Sequence, residues 1–222
     1  GSAGMTGAAV LAARAALHFG AGAVGIVSPE RNTVAATGPE LLTYPTADLE
    51  TQLERYDVVV LGPGLDPKSE MIATVLAGAQ RVVADAGALN PAIDVRSGGT
   101  ELVLTPHAGE FARLTGQSAG PDSARELAAE LGATVLLKGA PTIVAHRDEA
   151  PAVVASGGPE LATIGTGDVL AGMIGALWAR GLPGHVAARS AAFWHGVAGA
   201  DLARSETVTA DVLARHVGRF AQ

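Results

Sequence analysis

The chain has 222 residues, 48% of them apolar and 17% charged, with a formal net charge of −7, 29 glycines and no cysteine. This length gives one large domain or two small ones, and the apolar share predicts a well-buried core built from Ala, Val, Leu and Ile. The acidic balance, with no Arg/Lys cluster, argues against a nucleic-acid partner, and the lack of cysteine excludes disulfides, thiol nucleophiles and Cys-ligated zinc.

Strand and helix signals alternate along the chain. An apolar helix is predicted over about 4–19, followed by a turn and a strand over about 23–27. Residues 8–27 are the most apolar stretch, but Arg14, His18 and the break at Gly20–Gly22 argue against a membrane span. No secretory signal is visible, so a cytoplasmic location without a membrane partner is expected. The chain starts at Gly1-Ser2, inside what reads as a glycine turn, and a strand is expected to precede it. A poorly patterned stretch follows, with 40–44 extended. Asp57–Leu61 has the form of a buried parallel strand and ends in Gly62-Pro63-Gly64. Residues 67–79 read as helix, and Arg81–Asp85 as a strand with Asp85 at its carboxyl end. Glu101–Leu104 is a short strand running into Thr105-Pro106-His107, and 107–115 and 121–131 read as helices. Thr134–Leu137 is a strand ending at Lys138-Gly139. Thr142–Ala145 and Ala152–Ala155 form an antiparallel pair with Arg147-Asp148-Glu149 in the turn. Helices dominate thereafter, over about 166–180, 185–203 and 209–220. The pattern predicts a single α/β domain over 1–222, a mainly parallel sheet with helices on both faces.

In such sheets the ligand crevice lies beyond the carboxyl ends of the strands. Gly62, Gly64, Asp85, His107, Lys138 and Asp168 all fall at such ends or at a helix start. The sharpest local signal is Gly165-Thr166-Gly167-Asp168, a glycine turn opening into an apolar helix. The free N–H groups of a helix's first turn bind anions, and glycines let the backbone come close. A carboxylate beside an anion site repels the anion, yet it is well placed to take a proton from a neighbouring hydroxyl. The simpler alternative is that Asp168 only stabilises a helix end. Helix-end positive potential is expected to lower its pKa and keep it ionised. Lys138 after an apolar run is expected to face the crevice, since a bare buried ammonium is costly. His107 after a proline at a helix start suits a neutral hydrogen-bonding role or a cap, and Glu110 is read as a capping carboxylate outside the site. A core or interface role is expected for His195 and Trp194.

The runs GSAGMTGAAVLAARAAL, VVLGPGL, VVADAGALN, LTPHAGEFARL, LLKGAPTIV and ATIGTGDVLAG occur in this order. Together they resemble the ADP/ATP-dependent NAD(P)H-hydrate dehydratase family of the ribokinase-like superfamily, over nearly the whole chain. The GTGD run is shared with many ribokinase-like kinases, whereas TPHAGE points to the dehydratase branch. The resemblance implies a ribokinase-like three-layer sandwich and repair of hydrated NADH and NADPH. The ring hydroxyl would be phosphorylated at the expense of ADP or ATP, and loss of phosphate would restore the dihydronicotinamide. It also implies Mg²⁺ assistance and a homo-oligomer, commonly a tetramer. By matching position, Ala8, Gly64, His107 and Asp168 would touch the hydrated dinucleotide. Lys138, Gly139, Ala140, Pro141 and Thr142 would bind the nucleotide with Gly165, Thr166 and Gly167, and Asp168 would be the general base. Two departures stand out. Gly87 replaces the second aspartate of the family's Asp-Ala-Asp-Ala-Leu-Asn, so no metal ligand is assigned, and Gly157-Gly158-Pro159-Glu160 replaces an Asn-rich turn. Two rival functions stay open: a small-molecule kinase of the superfamily that keeps its phosphorylated product, and a non-catalytic nucleotide-binding subunit.

Overall fold

The fold was analysed in a computed structural model, which describes residues 1–90, 99–147 and 149–221. The elements run α1 (Thr6–His18), β1 (Gly25–Val27), α2 (Arg31–Thr37), β2 (Leu42–Tyr44), α3 (Leu49–Leu53), β3 (Val59–Leu61), α4 (Glu70–Gly78), β4 (Arg81–Ala84) and β5 (Glu101–Leu104). They continue with α5 (Ala108–Thr115), α6 (Pro121–Leu131), β6 (Thr134–Leu137), β7 (Thr142–His146), β8 (Glu149–Val154), α7 (Thr166–Ala179), α8 (Gly184–Leu202) and α9 (Ala210–His216).

The main sheet has the order β3-β4-β5-β6-β7-β8. Strands β3 to β6 are parallel, and β7 and β8 join antiparallel at one edge. Side chains alternate across this sheet, as the two-residue strand period requires. Val83, Val103 and Leu136 point into one core with α1, α7, α8 and α9. Val82, Leu102 and Leu104 point into a second core with α4, while Val135 and Leu137 pack with Phe111 of α5 and with α6. Burial on both faces explains why these strands read as unbroken apolar runs.

β1 and β2 form a separate two-stranded parallel sheet. A cavity of about 500 Å³ is lined by Ile26 of β1, Val60 of β3, Ala12 of α1 and Ala176 of α7.

Four short elements were not foreseen. The stretch read as poorly patterned holds α2, which buries only Val34. A 3-10 turn at Thr46–Asp48 leads into α3, and another covers Pro159–Leu161. Each buries too little apolar surface to leave a periodic mark. Asp148, placed in the β7–β8 turn, lies outside the described residues.

Helices α1 and α7 set the geometry of the site. A Cβ on Gly172 would lie 2.0 Å from the Ala12 carbonyl oxygen, so the two backbones touch there. Further along, a Cβ on Gly20 would lie 3.0 Å from Arg180. Both pairs advance together, so the helices run parallel and bring Ala8 and Asp168 to the same end of the bundle.

Candidate active site

The carboxyl ends of β4, β5 and β6 converge on a charged cluster. Asp85 follows β4 and is 1% exposed. Lys138 follows β6, and its Nζ donates to Asp85 Oδ1 at 2.7 Å. A buried carboxylate therefore compensates the Lys138 ammonium. Glu110 Oε2 stands 3.7 Å from the same Nζ. The parallel ladder continues past the strands, with Lys138 N–H donating to the Pro106 carbonyl at 2.8 Å. This sets His107 beside Lys138 across the sheet.

His107 is the N-cap of α5. Its Nδ1 accepts from Gly109 N–H at 3.0 Å and Glu110 N–H at 3.3 Å, and Glu110 Oε2 accepts from His107 N–H at 2.8 Å. This reciprocal capping box satisfies otherwise orphaned helix donors. A lone pair on Nδ1 is needed for it, so the ring proton sits on Nε2, on an exposed side chain. Nδ1 holds the helix, and Nε2–H, 3.5 Å from Glu110 Oε2, keeps donor capacity toward a ligand. Glu110 both caps α5 and faces Lys138, so it stands inside the site rather than outside it.

Asp168 lies in the first turn of α7, whose N-cap Gly165 has φ +90°. Only glycine takes this left-handed conformation without strain. The expectation that the helix end lowers the Asp168 pKa is wrong. Burial, with Asp85 and Glu110 nearby, pushes it up to about 6, against the opposing pull of Lys138. The helix end is worth about 0.3–1 kcal/mol, less than desolvation and two like charges together. Asp168 is therefore a better base near neutrality than a free carboxylate would be.

The anion turn is also more selective than Gly165-Thr166-Gly167 implied. The Thr166 N–H is engaged, donating to the Thr163 carbonyl at 3.3 Å. Gly167 and Asp168 are the next first-turn donors, and first-turn N–H groups have no intrahelical acceptor. Lys138 Nζ lies 3.3 Å from where a Cβ on Gly167 would stand, so the ammonium sits against this turn. Gly139, Ala140 and Pro141 form the exposed connection from β6 to β7, closed by a 2.9 Å bond from Thr142 Oγ1 to the Gly139 carbonyl.

Ala8 and Gly64 meet as a second group. A Cβ on Gly64, at φ +61°, would lie 2.1 Å from the Met5 carbonyl oxygen and 3.2 Å from Ala8 Cβ. Glycine at 64 is thus required by the close approach of α1's entry turn. A similar contact accounts for Gly87, where a Cβ would lie 2.1 Å from the Leu65 carbonyl oxygen.

Chemically, the crevice joins a proton acceptor (Asp168), an ammonium (Lys138) and helix-end donors. Three carboxylates face one ammonium, leaving surplus negative charge. Among the described residues, no helix is long and apolar enough to cross a membrane.

The family model for NAD(P)H-hydrate dehydratase matches residues 1–221. The ADP-dependent (S)-NAD(P)H-hydrate dehydratase of Neisseria meningitidis serogroup B is 38% identical, over 100% of this chain and 81% of its own length. The bifunctional NAD(P)H-hydrate repair enzyme of Moorella thermoacetica is 40% identical over 92% of this chain, which spans only 44% of that longer protein. The solved ADP/ATP-dependent NAD(P)H-hydrate dehydratase of Bacillus subtilis, co-crystallised with ATP/Mg²⁺ and soaked with CoA, superposes with a TM-score of 0.87. It is 28% identical, over 99% of this chain and 87% of its own. The architecture is that of the ribokinase-like structures. With the GTGD turn, the TPHAGE capping box and the strand-end ion pair in one crevice, the chain belongs to the NAD(P)H-hydrate dehydratase family.

Proposed function

We propose that this chain dehydrates hydrated NADH and NADPH at the expense of ADP or ATP. The observation that carries the reading is Asp168, half-buried in the first turn of α7 with its pKa raised to about 6 beside Lys138. In this reading the ring hydroxyl attacks the terminal phosphorus of the nucleotide, and its proton passes to Asp168. The P–O bond to the departing nucleotide breaks, releasing AMP from ADP or ADP from ATP. Phosphate then leaves the ring with the C–O bonding electrons, and loss of a neighbouring ring proton restores the double bond. Lys138 and the Gly167 N–H bind phosphate oxygens, a stabilising role of the kind that dominates phosphoryl transfer. Ala8, Gly64 and the His107 Nε2–H hold the hydrated nicotinamide, and Lys138 to Thr142 the nucleotide.

The acidic surplus suits Mg²⁺ carried in with the nucleotide. No group of three His, Asp or Glu among the described residues is arranged to hold a metal alone. An ion that keeps phosphate and water ligands fits this better than an all-protein cage. Asp85 and Glu110 would face it, and it would neutralise the phosphates during transfer.

A single domain over 1–222, a cytoplasmic location and a homo-oligomer complete the reading. The test is to supply hydrated NADH with ADP or ATP and follow the regained absorbance of the reduced nicotinamide. A stable phosphorylated product would instead indicate a kinase, and nucleotide binding without turnover a regulatory subunit.

A further inference from the structure

His195 of α8 is a buried titratable group outside the chemistry described above. It is 7% exposed, and its Nε2 lies 3.0 Å from the Thr166 carbonyl oxygen. A carbonyl only accepts, so Nε2–H donates and the tautomer is fixed. Burial pushes the His195 pKa down to about 4, which keeps the ring neutral in ordinary conditions.

The Thr166 carbonyl is one end of the planar peptide whose other end is the Gly167 N–H. In a trans peptide the two groups point in opposite directions. Fixing the carbonyl therefore fixes where the Gly167 N–H points. A donor on the carbonyl also polarises the peptide and strengthens that N–H. The rest of Thr166 is clamped as well, with the single Oγ1 proton shared between the Leu161 carbonyl at 2.7 Å and the Thr163 carbonyl at 2.8 Å. Helix α8 is packed tightly against this region. A Cβ on Gly196 would lie 2.4 Å from the Ser156 carbonyl, and one on Gly199 would lie 2.6 Å from Leu161.

We propose that His195 is a positioning residue for phosphoryl transfer: from behind α7 it holds the Thr166–Gly167 peptide so that the Gly167 N–H is aimed at the transferred phosphate. This rests on the proposed function, in which Gly167 N–H binds phosphate. The bond also satisfies the buried ring N–H, so positioning is separated from core filling by the Gly167 amide response and by kcat.

The test compares the full chain with His195→Gln, which keeps a donor at similar reach, and His195→Leu, which fills the space without one. Turnover of hydrated NADH with ADP, ADP affinity by calorimetry and the ADP-induced NMR shift of the Gly167 amide are read for each. His195→Leu should lower kcat by about 10–100-fold, less than outright loss of such a donor, with KM for the hydrated dinucleotide changed by under about threefold. It should also lose the Gly167 amide response, and His195→Gln should recover both. Wild-type kcat and amide response in His195→Leu would overturn the proposal, as would equal impairment in both variants. The ring ¹⁵N spectrum of the wild type needs no variant: an Nδ1–H tautomer for His195 would overturn it too. If the wild type binds ADP but does not turn over, the functional reading fails alone, and the Gly167 response still decides the role of His195.

Discussion

Replacing Asp168 by asparagine should make the protein slower and, at neutral pH, more stable. The folded-state pKa is raised from 3.8 to about 6, so the folded protein carries a penalty whenever Asp168 is ionised. That penalty is absent below the unfolded value, grows as pH rises, and is complete once pH passes the folded value. Two units correspond to about 3 kcal/mol at 1.36 kcal/mol per unit. Asp168 is only half-buried, so solvent screening reduces this to about 1–1.5 kcal/mol. Asparagine keeps the shape and removes the charge. Guanidinium unfolding at pH 7.5 and pH 4 measures the effect: Asp168→Asn should be more stable at pH 7.5, with the gain shrinking toward pH 4. Turnover at pH 7.5 should fall by at least about 10²-fold, as expected when a general base is lost. A variant that is no more stable than wild type at pH 7.5, or whose gain persists unchanged at pH 4, would refute the electrostatic reasoning. Near wild-type turnover would refute the role as base.

Other outcomes follow from the same geometry. The pH profile of kcat/KM should show a rising limb near 6, and Asp85→Asn should move it to lower pH by removing a charge that raises the Asp168 pKa; an unmoved limb would assign it to another group. Lys138→Ala should weaken nucleotide binding more than dinucleotide binding in separate calorimetric titrations. It should also destabilise the fold by about 3–5 kcal/mol, because Asp85 is left buried and unpaired, and adding Asp85→Asn should recover much of that loss. Gly64→Ala should lower Tm clearly, since the Cβ meets the Met5 carbonyl at a positive φ; an unchanged melting curve would count against that contact. A crystal soaked with hydrated dinucleotide and nucleotide should show the nicotinamide between Ala8, Gly64, His107 and Asp168. The adenine should lie by Lys138–Thr142, and adenine against His107 would reject the arrangement.

Much of this was legible because strands buried on both faces leave continuous apolar runs, and the residues just past them stand out. Asp85 after RVVA and Lys138 after TVLL are each conspicuous. Their pairing was not, since it depends on β4 and β6 lying on either side of β5. The opposite charges at two strand ends of one sheet were the available signal. Glu110 was hidden by its spacing, three residues after His107, which marks a capping box whether or not the carboxylate has a second partner. The sign of the Asp168 shift was unreadable because the helix end is local in sequence, whereas Asp85 arrives from the end of β4 and Glu110 from α5. His195 looked like any polar residue on an apolar helix, and only packing of α8 behind α7 brings it to Thr166. Short elements such as α2 and α3 escaped because they bury little.

The central claim is that the ring hydroxyl is phosphorylated with Asp168 as base and leaves as phosphate. Isotopic labelling tests it most directly. Hydrated NADH carrying ¹⁸O in its ring hydroxyl is converted with ADP or ATP, and the released phosphate is examined by mass spectrometry. The account predicts one ¹⁸O in each phosphate released, at a rate that collapses in Asp168→Asn. Reduced nicotinamide formed with unlabelled phosphate and the ¹⁸O in water would contradict it.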